Sequence, residues 1–70
     1  MTEFTVIYES GDQNWSAYVP DLPGCIATGR TRDLVEQQIR EAIGFHIEGL
    51  RLRGEAVPEP SIEAGTVSIG

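Results

Sequence analysis

Hydrophobic and polar residues alternate in three short runs of the first half of the chain. The runs are Phe4–Tyr8, Trp15–Val19 and Cys25–Thr28, and their β-branched and aromatic residues favour strands. Gly11–Asn14, between the first two runs, is typical of a hairpin turn. Side chains of a strand point alternately to opposite faces. One face of the predicted meander therefore carries Phe4, Val6, Tyr8, Trp15, Ala17 and Val19, and the other carries Thr5, Ile7, Ser16 and Tyr18.

From Arg32 to about Arg53, apolar residues recur every three or four positions, which is the period of an α-helix. The residues of this stripe are Val35, Ile39, Ala42, Ile43, His46, Ile47 and Leu50. Thr31 is a suitable N-cap, and Gly54 is a suitable residue to follow the C-cap. The sequence therefore predicts one amphipathic helix that covers one face of the sheet.

The last part of the chain is predicted to be extended. Pro58 and Pro60 do not fit a helix and push the residues before them into an extended conformation. Thr66–Ile69 alternates like a strand, and we expect it to pair with the first strand at the edge of the sheet. The element order is then β-β-β-α-β, a small and mostly antiparallel α+β arrangement with one helix on one face. We expect residues 1–70 to form a single domain.

A rigid loop is predicted between the second and third strands, where the sequence reads Val19-Pro20-Asp21-Leu22-Pro23-Gly24-Cys25. Each proline fixes its own φ near −65° and removes a backbone N–H, so neither a strand nor a helix continues through this stretch. Gly24 is free to adopt the positive φ that such turns often require. The loop therefore has a fixed shape that sets the angle between the two strands.

This heptapeptide closely resembles the HicB antitoxin family, as do the short strand, Gly29-Arg30-Thr31 and the amphipathic helix that follow it. The segment Gly54–Pro60 and a final short strand fit the same pattern. The resemblance implies a partial RNase H fold. It also implies an antitoxin that binds a small, basic HicA-type mRNA interferase toxin and blocks its active site or RNA surface. The alternative is an orphan homo-oligomeric module of the same family that binds a small ligand or another protein.

The charge of the chain agrees with a basic protein partner. The 70 residues carry a net charge of −6, with five arginines and no lysine. Affinity for nucleic acid depends largely on Lys and Arg, so direct binding to DNA or RNA is not expected. Family members that repress their own operon carry a C-terminal helix-turn-helix or ribbon-helix-helix segment. Here Gly70 directly follows the last predicted strand, so the resemblance does not carry over a DNA-binding role.

Two surfaces are candidates for contact with a partner protein, the rigid loop and the sheet face that the helix leaves uncovered. Their residues are Asp21, Leu22, Pro23 and Gly24 in the loop, and Ile7 and Tyr18 on the uncovered face. Two roles are open for the Asp21 carboxylate, which either caps backbone N–H groups of its own loop or faces a cation of the partner.

Self-association is a separate expectation. A chain of this size has a small core, and association is a common way to stabilise such a chain. A second row of apolar residues lies roughly opposite the main helix stripe, formed by Leu34, Phe45 and Leu52. We expect a homodimer or homotetramer, with this row as a possible contact.

Neither a membrane nor an oxidising compartment is indicated. No apolar run approaches the length of a transmembrane helix, and the N-terminus has no signal-peptide pattern. The single cysteine, Cys25, cannot form an internal disulfide, which fits a cytoplasmic protein. We interpret Cys25 as a small packed side chain, because nothing adjacent in sequence would lower its pKa.

Enzymatic chemistry has little support in the sequence. A metal-dependent nuclease needs several converging carboxylates, and the candidates are Glu9, Asp21, Asp33 and Glu36. None of them lies in the middle of the first strand. His46 is the single histidine and has no nucleophile paired with it in sequence, so we interpret it as a partly buried helix residue. Glycine-rich phosphate loops and Cys/His metal motifs are missing, so we expect no cofactor and no enzymatic activity.

Overall fold

Three antiparallel strands followed by one helix make up the computed structural model, which describes residues 2–70. The strands are β1 (Ile7–Ser10), β2 (Trp15–Tyr18) and β3 (Ile26–Gly29), and the helix is α1 (Arg32–Leu52). The sheet has the order β1-β2-β3, so each strand pairs with its neighbour in sequence. This confirms the predicted α+β class and the predicted meander followed by a helix.

The strand register separates the two faces of the sheet as the alternation predicts. In one row across the sheet Tyr8, Ala17 and Ala27 are paired, and these side chains point to the helix side. The buried core between sheet and helix consists of Ala17, Val19, Leu22, Cys25, Val35 and Ile39. Around it pack the half-buried residues Phe4, Val6, Tyr8, Trp15, Ala27, Ala42 and Ile43. The helix therefore covers one face and leaves the other to solvent.

Both ends of α1 have the capping geometry that the sequence predicts. The Thr31 Oγ1 accepts a hydrogen bond at 3.1 Å from the backbone N–H three residues later. At the C-terminus, Gly54 has a φ of +71° and donates its N–H to the Arg51 carbonyl at 3.0 Å. The Glu55 N–H donates to the Leu50 carbonyl at 2.8 Å, which completes a Schellman motif. Local residue chemistry thus determines where this helix begins and ends.

The helix is much longer than the sheet that it covers. Its 21 residues span about 32 Å, whereas each four-residue strand spans about 13 Å. The buried helix residues, Val35 and Ile39, lie in its N-terminal half. The C-terminal end of the helix consequently extends past the sheet, although Ala42 and Ile43 still pack against the core. Phe45 and Leu52 are exposed on the outer side of the helix. Within residues 2–70, no helix is long and apolar enough to cross a membrane.

The predicted final strand is not formed. Within residues 2–70, Thr66–Ile69 has no ladder partner, and its apolar residues are exposed. Nearby backbone groups bond to side chains instead: the N–H groups of Ser61 and Ile62 donate to Asp21, and the Ile62 carbonyl accepts from Thr5. An alternating β-branched pattern indicates a segment that fits a half-buried surface, whereas Val67 and Ile69 are exposed here.

The strands themselves differ slightly from the sequence prediction. β1 begins at Ile7 rather than Phe4, because the segment 4–6 packs on the core without ladder bonds. Val19 and Cys25 belong to the loop between β2 and β3 rather than to the strands. These shifts leave the two faces of the sheet unchanged.

Candidate protein-binding surface

The loop between β2 and β3 is built from two consecutive β-turns that share Leu22. The Leu22 N–H donates to the Val19 carbonyl at 3.0 Å, and the Cys25 N–H donates to the Leu22 carbonyl at 3.0 Å. The Val19 N–H closes the loop by donating to the Cys25 carbonyl at 3.1 Å. In the second turn Pro23 is followed by Gly24 with a φ of +85°, which is the geometry of a type II turn. The predicted rigid loop is present.

Leu22 lies at the centre of this loop and points into the protein. Its side chain is 0% exposed and forms part of the core with Val35 and Ile39. The apolar side chain turns inward between the two β-turns, which anchors the loop to the helix and sheet. A contact between Leu22 and a partner, as expected from the sequence, is not compatible with this burial. The exposed tip of the loop is formed by Pro23 and Gly24.

The Asp21 carboxylate binds the chain that follows the helix. Its Oδ1 accepts from the Ser61 hydroxyl at 2.8 Å, and its Oδ2 accepts from the N–H groups of Ser61 at 3.2 Å and Ile62 at 3.3 Å. The Ser61 hydroxyl chiefly, and the two N–H groups in addition, lower the pKa of Asp21 below its ordinary value. One of the two expected roles of the Asp21 carboxylate is to cap backbone N–H groups of its own loop. The carboxylate does cap backbone N–H groups, but they belong to Ser61 and Ile62 in a distant segment of the chain.

The uncovered face of the sheet carries an apolar row next to the loop. Ile7 pairs with Tyr18, and Tyr18 pairs with Ile26, so the three side chains form one line across all three strands. Ile26 is 66% exposed, although it is a large apolar residue. The next row on the same face, formed by Glu9, Ser16 and Thr28, is polar. The exposed apolar area is thus confined to the end of the sheet from which the loop extends.

Ile26 is a member of this row that sequence reasoning did not select. The sequence contains the information needed to select it. When one loop joins two antiparallel strands, the last residue of the first strand lies opposite the first residue of the second strand. Tyr18 and Ile26 are those residues once Val19 and Cys25 are assigned to the loop. We call the row and the loop tip together the loop-and-row surface; its residues are Ile7, Tyr18, Pro23, Gly24 and Ile26.

The chemistry of the loop-and-row surface suits binding rather than catalysis. Apart from the Tyr18 hydroxyl its side chains are apolar, and it contains no carboxylate, imidazole or thiol. Burial of apolar area against a partner is the interaction that such a surface provides. The rigid loop beside it would lose little conformational freedom in a complex.

The family model for a HicB-like antitoxin of a bacterial toxin–antitoxin system matches residues 4–67. The chain belongs to this HicB-like antitoxin family. A UPF0150 protein of Thermoplasma acidophilum is 36% identical over 62 residues, which cover 89% of this HicB-like chain and 90% of that protein. An uncharacterized 14.9 kDa protein from the rep–hol intergenic region of Haemophilus phage HP1 is 34% identical over 56 residues, which cover 80% of this chain and 42% of the phage protein.

A solved structure adds a three-dimensional comparison. The HicB-like chain is similar to a chain of the HicA3 and HicB3 toxin–antitoxin complex, with a TM-score of 0.70 and 27% sequence identity. The match covers 86% of this chain and 70% of that chain. The strand–strand–strand–helix arrangement is therefore shared with a component of a toxin–antitoxin complex.

The second apolar row expected from the sequence lies on the outer side of α1 in this HicB-like chain. Leu34, Phe45 and Leu52 are all exposed, and exposure increases toward the C-terminal end that extends past the sheet. Their spacing of eleven and seven residues places them on one line of the helix. A contact between copies through this row stays a prediction.

The acids and the cysteine considered for catalysis have the following surroundings in the described part of the chain. Within residues 2–70, no group of three or more His, Cys, Asp or Glu side chains could hold a metal ion. Glu36, one of the four candidate acids, forms ion pairs with Arg32 at 3.3 Å and Arg40 at 3.8 Å. Cys25 is buried, and burial raises the pKa of its thiol, which disfavours the reactive thiolate.

Proposed function

We propose that this HicB-like chain is an antitoxin that binds and neutralises a small, basic HicA-type mRNA interferase in the cytoplasm. The observation that carries the proposal is the apolar row formed by half-buried Ile7 and exposed Tyr18 and Ile26 beside a rigid loop. Membership of the HicB-like antitoxin family and similarity to a chain of the HicA3 and HicB3 complex support the choice of partner.

Apolar burial on the loop-and-row surface supplies the affinity in this proposal. Large apolar side chains left on a sheet face gain free energy when a partner removes them from water, at about 25 cal/mol per Å² of apolar area. Tyr18 and Ile26 flank the loop and therefore meet the partner together with Pro23 and Gly24. Because hydrogen bonds already fix the loop, its ordering does not have to occur during binding.

Charge supports the same partner. The chain carries a net charge of −6, whereas a protein that cleaves RNA needs positive charge to bind phosphates. Opposite charges accelerate the encounter and orient the two proteins. An acidic protein on the RNA-binding surface of the toxin also excludes RNA by occupying the surface and by repelling phosphate. We therefore infer that neutralisation is occlusion by a binding protein and not an enzymatic step.

The test is binding to a purified HicA-type toxin, measured by calorimetry and by inhibition of the toxin's RNA cleavage. Ile26→Asp places a charge in the apolar row and should weaken binding by at least about tenfold. Thr28→Asp is the matched control, because it adds the same charge on the same strand and the same face but in the polar row. Absence of a complex, or equal affinity of Ile26→Asp and the unmodified protein, would contradict the proposal.

A further inference from the structure

Residues 66–69, which we call the tail segment, have the pattern of a strand but no strand beside them. Val67 is 85% exposed and Ile69 is 94% exposed, and the alternation places both side chains on one face. The positions between them and before them, Ser68 and Thr66, are polar. In the described part of the chain, the tail segment forms no ladder. Its apolar face therefore lacks the sheet surface that such a segment fits.

The strand β3 is the edge of the sheet that is suited to accept another strand. Across residues 2–70 it pairs on one side only, with β2. Its residues, Ile26–Gly29, include no charge and no proline, which are common protections of a sheet edge against pairing. The opposite edge, β1, carries Glu9 on one face. On its other face the Arg32 guanidinium lies 4.1 Å from the centroid of the Tyr8 ring. An uncharged strand is therefore better matched to β3 than to β1.

Antiparallel pairing of the tail segment with β3 matches the side chains on both faces. The pairs in this register are Thr66–Gly29, Val67–Thr28, Ser68–Ala27 and Ile69–Ile26. Directly opposed residues share a face, so Ile69 lies beside the exposed Ile26 on the face that the helix leaves open. The helix side is crowded, because a Cβ on Gly29 would lie 3.1 Å from a Val35 methyl group. The tail segment presents only two small polar side chains to that side.

Charge favours the same antiparallel register. Glu63 lies three residues before Thr66, and Arg30 directly follows β3, so antiparallel pairing brings their opposite charges to the same end of the ladder. Both side chains are exposed, and within residues 2–70 neither forms an ion pair. Parallel pairing would instead bring Glu63 to the loop tip, where Pro23 and Gly24 provide no cation.

The tail segment of the same chain is too short to reach this register. The Ile62 carbonyl accepts from the Thr5 hydroxyl at 2.6 Å, two residues before β1 begins. A position beside Gly29, outside β3, lies diagonally across the sheet from there. Strand spacing and rise per residue make this distance about 20 Å. The four residues from Ile62 to Thr66 span at most about 14 Å. A strand that joins β3 in this register therefore comes from a second copy of the chain.

We propose that two copies of this chain exchange their tail segments, each of which adds an antiparallel strand to β3 of the other copy. Two-fold symmetry forms the contact twice and extends each three-stranded sheet to four strands. Ile69 of the second copy then lengthens the apolar row of Ile7, Tyr18 and Ile26. The loop-and-row surface becomes wider and keeps its exposed loop tip. This inference does not depend on the identity of the protein that docks there.

The first test measures the mass of the full chain in solution by light scattering, from micromolar to millimolar concentration. The unmodified protein should change from the monomer mass to the dimer mass. Val67→Pro/Ser68→Pro should stay monomeric, because it removes two consecutive N–H groups, one of which belongs to the ladder in either register. Both positions are exposed, so circular dichroism should show an unchanged fold. Val67→Ile/Ser68→Thr keeps the N–H groups and the strand pattern, and this control should dimerise.

The second test exchanges the two charges at the end of the ladder. Arg30→Glu and Glu63→Arg should each weaken the dimer by about tenfold, because symmetry reverses the charge at both contacts at once. The combined variant should restore the dimer. A carboxylate at position 30 precedes the N-terminus of α1, where the helix dipole favours it, so the fold is retained. Arg51→Glu reverses another exposed arginine and is the matched control, which should dimerise normally.

Three results would overturn this inference. They are a monomer mass of the unmodified chain at millimolar concentration, a dimer that persists in Val67→Pro/Ser68→Pro, and a combined charge variant that fails to restore the dimer. A persistent dimer would assign the contact to another surface, such as the outer row of α1. Toxin binding is measured separately in Val67→Pro/Ser68→Pro, which leaves the loop-and-row residues unchanged. A monomeric variant that still binds the toxin supports both proposals, whereas a dimer without any toxin complex contradicts only the proposed function.

Discussion

The Asp21 carboxylate accepts a hydrogen bond from the Ser61 hydroxyl at 2.8 Å, across 40 residues of the chain. The same short segment is held from another direction, because the Thr5 hydroxyl donates to the Ile62 carbonyl at 2.6 Å. The rigid loop, the N-terminal segment and the chain after the helix therefore meet at one place. Asp21 contributes its charge to this junction.

Acid should release the segment around Ser61 from Asp21. Because the pKa of Asp21 is lowered in the folded protein, the unfolded chain binds the proton more readily. The stabilisation is therefore complete at pH values above the ordinary pKa of 3.8 and is lost as the pH falls through the lower, folded pKa. An NMR titration should show the amide signals of Ser61 and Ile62 moving together with the Asp21 carboxyl signal.

The substitution Asp21→Asn should reproduce this release at neutral pH. We expect a lower melting temperature and altered amide signals at Ser61 and Ile62, because a neutral amide is a weaker acceptor than a carboxylate. Asp12→Asn removes the same charge from the exposed hairpin turn and is the control. Unchanged signals in Asp21→Asn, or an equal loss of stability in Asp12→Asn, would show that the junction does not depend on the Asp21 charge.

Two glycine substitutions should change stability in opposite directions. Gly24 has a φ of +85°, so Gly24→Ala forces an L-residue into a left-handed conformation and should cost about 1 kcal/mol. Gly44 lies inside α1 with space for a Cβ, so Gly44→Ala should stabilise the protein by about 1 kcal/mol. Urea denaturation of the two variants measures both changes. If both substitutions change the free energy of unfolding by the same amount and in the same direction, the positive φ at position 24 does not explain why this position is a glycine.

Short-range signals predicted the parts of this fold that depend on neighbouring residues. Thr31 and Gly54 end the helix by bonds to residues within one turn, so their roles follow from sequence spacing. The contact of Asp21 with Ser61 joins segments far apart in sequence, and no local pattern indicates it. For the same reason the alternation of Thr66–Ile69 predicts a strand that the tertiary structure does not form. The inward direction of Leu22 depends on the two turns that flank it.

Leu22 should be essential for stability although it lies in the loop. Leu22→Ala removes a fully buried side chain from the core and should cost about 2–5 kcal/mol, a large part of the stability of so small a protein. Pro23→Ala is the adjacent control, because Pro23 is exposed and should cost about 1 kcal/mol or less. Thermal and urea denaturation compare the two. A small effect of Leu22→Ala would show that the loop is not anchored to the core.

The Cys25 thiol should report on opening of the loop. Cys25 is 4% exposed, and burial raises the pKa of its thiol, so both access and the thiolate fraction are low in the folded protein. Reaction with a disulfide reagent should therefore be slow in buffer and fast in urea. Ser68→Cys adds an exposed thiol to the same molecule, so this variant should react in two phases, one fast and one slow. The Cys25 carbonyl closes the loop by accepting a hydrogen bond from the Val19 N–H. If both thiols react in a single fast phase, the loop opens readily and does not hold its shape before a partner binds.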